Sequence, residues 1–141
     1  MQDMTYTRRE TLVIGAGGIA LLAVTPAMAS AVEEAVAAFT GGAAVTDGGV
    51  EITAPEIAEN GNVVPIEVSA PGAEEIMVLA TGNPSPPVCS VSFGPGSASQ
   101  RLSTRIRLAR TQDVLAMARM SDGSFVQATR AVKVTIGGCG G

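Results

Sequence analysis

The chain is 141 residues long, 46% hydrophobic and 16% charged, which is room for one globular domain and a short extra segment. Its formal charge of -4 argues against a nucleic-acid backbone as partner, and with no histidine it lacks the commonest metal ligand and the commonest general base at neutral pH. No G-x-S-x-G elbow, phosphate-binding glycine loop or cysteine cluster compensates, so composition argues against an autonomous hydrolase or metalloenzyme.

Residues 1–29 read as an export leader. Arg8-Arg9 precede an apolar run from Leu12 to Val24, and Ala27-Met28-Ala29 has the small-x-small pattern of a signal-peptidase site. The paired arginines resemble a twin-arginine signal, which implies periplasmic localisation, cleavage after Ala29 and no membrane segment in the mature form. The apolar run is too short to span a bilayer comfortably as an uncleaved anchor. Gly15-Ala16-Gly17-Gly18-Ile19-Ala20 fits a dinucleotide-binding pattern, but no βαβ unit surrounds it. Removing the leader takes two arginines and two acids, so the mature charge stays at -4.

Residues 30–42 are expected to form a short helix, with Ser30 and Glu33 as a capping box, Val32, Val36 and Phe39 on one face, and Gly41-Gly42 as the stop. From Gly49 the apolar period becomes two. Alternation over Val50–Thr53, Val64–Ser69, Ile76–Ala80, Val88–Gly94, Arg101–Leu108, Val114–Met120 and Phe125–Ile136 predicts strands. Pro65 suggests an edge strand or an irregular start, because proline cannot donate to a ladder. Asn83-Pro84-Ser85-Pro86-Pro87 reads as a rigid corner, and Asp122-Gly123 as a hairpin turn. Val132, Val134 and Ile136 are expected to point inward. About seven short strands with regular turn signals predict an all-β, immunoglobulin-like antiparallel β-sandwich over 43–136, preceded by the helix.

Side chains with chemistry are few. Glu56, Glu59, Glu74-Glu75 and Asp122 fall in or beside turns, where solvated carboxylates belong. Arg101, Arg105 and Arg107 alternate with Leu102, Thr104, Ile106 and Leu108, so they form either the polar face of a strand or a contact surface for an acidic partner or an anion. Cys89 shares a predicted face with Val91 and Phe93, as a small buried hydrophobe would.

The last five residues, Gly137-Gly138-Cys139-Gly140-Gly141, form a flexible arm with one thiol. Glycines leave the backbone free to bend and to approach another surface closely. The nearest basic residue is Lys133 and the terminal carboxylate is two residues away, so nothing local favours the thiolate. A thiol that others must activate behaves as a carried substrate. A bridge from Cys139 to Cys89 is geometrically conceivable if Cys89 is accessible.

The twin-arginine leader, Glu59-Asn60-Gly61-Asn62-Val63-Val64-Pro65, Asn83-Pro84-Ser85-Pro86, Ser103-Thr104-Arg105-Ile106-Arg107-Leu108, Ser121-Asp122-Gly123 and the terminal pentapeptide together resemble the SoxY family of sulfur carriers in periplasmic thiosulfate oxidation. That resemblance implies an immunoglobulin-like domain paired with a SoxZ-like β-sandwich subunit in a heterodimer. It also implies thiosulfate-derived sulfur held covalently on Cys139, with no permanent cofactor or metal and no catalytic residue of the chain's own. SoxAX-like, SoxB-like and, where present, SoxCD-like enzymes would act on the cargo. Cys89 departs from the family pattern of a solitary tail cysteine. The alternative is a periplasmic adaptor or structural sandwich whose tail cysteine makes an intermolecular disulfide.

Overall fold

Residues 26–137 are described in a computed structural model. The expected leader up to residue 25, and Gly138, Cys139, Gly140 and Gly141 of the tail, lie outside the described residues. Helix α1 runs Pro26–Thr40 rather than starting at Ser30. Proline suits a helix's first turn, where its missing N–H has no partner to lose, and the alanine-rich run after it favours helix. Ser30 is therefore interior, its Oγ 3.5 Å from Glu34 Oε1, and the capping box with Glu33 does not form. Gly41, at φ 64°, ends the helix and donates its N–H to the Ala37 carbonyl at 2.8 Å.

Among the described residues nine strands follow: β1 Val45–Asp47, β2 Glu51–Thr53, β3 Ile57–Ala58, β4 Val64–Ser69, β5 Ala73–Ala80, β6 Pro87–Ser92, β7 Arg101–Ile106, β8 Gln112–Met120 and β9 Phe125–Val134. One sheet has the order β1-β9-β8-β5-β6, with β3 also on β9, and the other has β2-β4-β7. All pairings are antiparallel except β1 and β3, which lie parallel to β9. Those two were not expected from sequence. At two or three residues they are too short to show a period, and only their partner defines them.

The sandwich core lies between the sheets, with Val64, Val68, Ile76, Val78, Val114 and Val132 fully buried. The opposite face of the larger sheet is also covered. Leu79, Leu115 and Met117 pack beneath Val32, Ala35, Val36 and Phe39 of α1, and Phe39 meets Phe125 edge to face at 5.6 Å. This explains why β5 and β8 are apolar on both sides: the helix buries the side that water would otherwise solvate.

Three expectations need correction. β4 is central, not an edge, but β2 is so short that it pairs only with Glu67–Ser69, leaving the stretch at Pro65 locally unpaired on that side. Ile136 is 67% exposed, because β9 ends at Val134 and the chain bends away. Cys89 is only half-buried, since β6 is a sheet edge. The register against β5 also slips between Val78 and Leu79, so Val88 and Cys89 both touch the core where strict alternation would send one of them outward. The Asp122-Gly123 turn forms as expected, with Gly123 at φ 85° and Asp122 Oδ1 accepting from the Ser124 hydroxyl and N–H at 2.6 and 2.9 Å.

Truncating the core at Ile76→Ala should cost about 2–5 kcal/mol in urea unfolding, because a fully buried side chain leaves a cavity. Ile57→Ala, at an exposed site, should stay within about 0.5 kcal/mol.

Candidate functional site

The antiparallel registers bring the C-terminal ends of β5, β7 and β9 to the same pole of the sandwich as the starts of β4, β6 and β8. The tail leaves from this pole, and most motifs singled out in the sequence meet there. Gly61 donates its N–H to the Ile136 carbonyl at 2.8 Å and accepts from the Leu108 N–H at 2.7 Å. Thr111 Oγ1 clips β9 from both directions, accepting from the Val134 N–H at 2.9 Å and donating to the Val134 carbonyl at 3.3 Å. Thr135 N–H donates to the Ala58 carbonyl at 3.0 Å. The segment carrying the tail is thus pinned from two stretches, the end of β3 with the loop after it and the loop at Thr111.

Beneath it sit two buried amides. Asn83 Nδ2 donates to the Arg107 carbonyl at 2.8 Å, while its Oδ1 accepts from Ala109 N–H at 2.9 Å and from Gln112 Nε2 at 2.8 Å. Gln112 Oε1 in turn accepts from Gly82 N–H at 2.8 Å, and its Nε2 also donates to the Arg110 carbonyl at 3.0 Å. The amide orientations follow from this pattern, since each oxygen faces N–H donors and each nitrogen faces acceptors. Among the described residues no buried side-chain nitrogen or oxygen lacks a partner.

Two glycines are fixed by close approach at this pole. A β-carbon at Gly82 would come 2.8 Å from Gln112 Cβ, and one at Gly137 would collide with the Ala109 carbonyl oxygen. Gly137 therefore has a steric reason to lack a side chain at the root, independent of flexibility. Of the predicted site residues it is the one the structure places; Cys139 and the remaining arm glycines lie outside the described residues.

Of the carboxylates expected in turns, Glu59 lies beside the tail root, its backbone carbonyl accepting from the Thr135 hydroxyl at 3.2 Å, and the other four have partners. Glu74 and Glu75 flank Arg119 at 3.7 and 3.4 Å, Glu56 lies 3.9 Å from Arg130, and the Ser124 hydroxyl holds the Asp122 carboxyl below its ordinary value, helped by the Ser124 N–H. Among the described residues no group of three or more His, Cys, Asp or Glu side chains converges. Arg101 meets Glu67 at 3.5 Å, whereas Arg105 and Arg107 line an open cleft beside the pole. Sequence reasoning missed Asn83, Gln112 and Thr111 as parts of the mount. Asn83 stood out only as a corner residue, because its partners are 24–29 positions away.

The family model described as sulfur oxidation protein SoxY matches residues 36–139. Among solved structures, the sulfur carrier protein SoxY from Chlorobium limicola f thiosulfatophilum is 37% identical, covering 77% of this chain and 99% of that one with a TM-score of 0.67. Superoxide reductase (neelaredoxin) from Ignicoccus hospitalis is 22% identical over 62% of this chain and 80% of its own, with a TM-score of 0.53, a likeness of fold alone. No curated protein matches the sequence significantly.

Asn83→Ala should destabilise by about 1–3 kcal/mol, because it strands the Ala109 N–H and the Arg107 carbonyl. Hydrogen exchange should quicken first at Ala109, ahead of the core strands. Burial pushes the Cys89 thiol above its ordinary value. In a Cys139→Ser chain, Cys89 alkylation should therefore begin at higher pH in the folded protein than in urea. The matching stability contribution is complete below the unfolded thiol's value and is lost as pH rises through the folded one.

Proposed function

The chain belongs to the SoxY family, and on that premise we propose that it is a sulfur carrier, holding intermediates of thiosulfate oxidation covalently on Cys139 and presenting them to partner enzymes. The observation that carries this reading is the convergence of Gly61, Asn83, Leu108 and Ile136, residues far apart in sequence, into one braced mount at the root of the tail. A carrier needs a rigid base and a thin tether, so that a partner's cleft meets the cargo in a reproducible position. Gly137 on the Ala109 carbonyl supplies the thin start of such a tether.

The carrier reading assigns the chemistry to other proteins. Cys139 is the attachment site, and Gly137, Gly138, Gly140 and Gly141 are the arm. A SoxAX-like enzyme joins thiosulfate oxidatively to the thiol, a SoxB-like hydrolase releases sulfate, and a SoxCD-like dehydrogenase, where present, oxidises the remaining sulfane. The chain itself is not the catalyst and needs no permanent cofactor. A SoxZ-like sandwich completes a heterodimer. Val63 and Ile136, large apolar side chains left exposed at the base of the arm, are suited to being covered when a partner docks.

Residues 1–29 are a twin-arginine leader in this reading, removed on export to the periplasm. Cleavage after Ala29 keeps every residue of α1 that packs on the sheet, from Val32 to Phe39. Residues 30–42, 43–136 and 137–141 then serve as the helix, the sandwich and the arm. Among the described residues no helix is long and apolar enough to cross a membrane.

Intact-mass measurement after incubation with thiosulfate and the partner enzymes should show a thiosulfonate adduct in the parent chain and none in Cys139→Ser. An adduct surviving that substitution refutes the attachment site. A dominant disulfide-linked dimer, inert to sulfur compounds, would instead favour a structural adaptor.

A further inference from the structure

Of the three asparagines, Asn60, Asn62 and Asn83, one precedes a glycine. That pairing is open to deamidation, in which the next residue's backbone nitrogen attacks the side-chain carbonyl carbon, because glycine has no Cβ to obstruct the approach. Asn62 precedes the β-branched Val63, and Asn83 precedes Pro84, whose nitrogen has no proton to lose. Asn60 is exposed to water while Gly61 is buried. The pair sits in the loop that pins the tail root, so a change of covalent structure here reaches the mount directly.

Two hydrogen bonds act on the reacting atoms in opposite senses. Asn62 donates its N–H to Asn60 Oδ1 at 3.0 Å, and that oxygen is the one that takes up negative charge when the carbon is attacked. The turn therefore supports the electrophile. Gly61 donates its N–H to the Ile136 carbonyl at 2.8 Å, so the nucleophilic nitrogen is held to its proton and away from the side chain it would attack. The Ile136 carbonyl shares a peptide unit with the nitrogen of Gly137, the glycine that has no room for a β-carbon against Ala109. What restrains the nucleophile is thus the seated tail root itself.

We propose that Asn60 is a site of spontaneous deamidation gated by the tail root, closed while Gly61 holds Ile136 and open once that bond parts. The proposal goes beyond the carrier reading and does not need it. The Gly61 nitrogen bonds to Asn60 Cγ, its proton ends by way of water on the departing ammonia, and a second water opens the five-membered imide. The products are aspartate or isoaspartate, with one water consumed, one ammonia released and no oxidant or reductant required. Either product sets a new carboxylate next to Glu59. Isoaspartate also inserts a methylene into the backbone ahead of Gly61, which cannot then keep both its bond to Ile136 and its bond to Leu108. An opening of the root is in this way recorded as a permanent loosening of it.

The test ages the full chain in mildly alkaline buffer and follows the mass gain of an amide becoming an acid, mapped to Asn60 by peptide digestion, with isoaspartyl methylation as a second readout. Deamidation should run about tenfold slower in the folded chain than in guanidinium chloride, the scale of one held hydrogen bond. Asn60→Gln should abolish the mass gain. Gly137→Ala displaces the Ile136–Gly137 peptide, and Thr111→Val removes the clip on Val134. Each should speed deamidation about threefold or more, in step with hydrogen exchange at the Gly61 amide and not with exchange at Ile76 in the core. Equal rates in the folded and unfolded chain, a mass gain mapped elsewhere, root variants that change neither Gly61 exchange nor deamidation, or a rate that follows Ile76 instead of Gly61 overturn the proposal.

Discussion

A buried pair of side-chain amides, Asn83 and Gln112, is what allows one pole of this sandwich to serve as a fixed mount. Loops at the end of a sandwich expose backbone groups that no strand satisfies, and an unsatisfied buried group costs as much as a lost hydrogen bond or more. Here one amide supplies the donor and acceptors that the chain at Arg107 and Ala109 lacks, and the second does the same for Gly82 and Arg110. The direct bond between them at 2.8 Å couples the two loops. Each bond contributes a net of only about 0.5–1.5 kcal/mol, but breaking one member strands several groups at once.

In the carrier reading proposed above, that mount is what a glycine tail requires. β9 is held by β8 along its length, by β1 and β3 on its other edge, by Thr111 at its last residue and by Gly61 beyond its end. Backbone pairing therefore extends to Ile136. A tether that began on a frayed strand would spread its cargo over a larger volume and lose effective concentration at a partner's site. The steric fit of Gly137 against Ala109 lets the thin part begin at the surface of the mount itself.

The larger sheet is stabilised from two sides, and this leaves the rest of the molecule free for surface chemistry. Ile76, Val78 and Val114 fill the space between sheets, while Leu79, Leu115 and Met117 are closed over by α1. The paired surface charges lie mostly away from the mount, around Arg119 and Arg130 and at Arg101. Among the described residues Arg105 and Arg107, which line the cleft beside Asn83, make no ion pair.

Much of this was legible in the residue order because the governing signals are local. Alternation of apolar and polar side chains marks strands, Asp122-Gly123 demands a tight turn, and Gly41-Gly42 ends a helix; each acts within a few positions. The resemblance to the SoxY family likewise rested on motifs in order along the chain. What only the folded molecule decided depends on contacts across long separations. β1 and β3 exist because β9 lies beside them, Pro65 is tolerated in a central strand because β2 stops short, and Cys89 is half-exposed because its strand is an edge with a slipped register. The same holds for the mount, since Asn83 looks like any corner asparagine until the fold brings Ala109 and Gln112 to its oxygen.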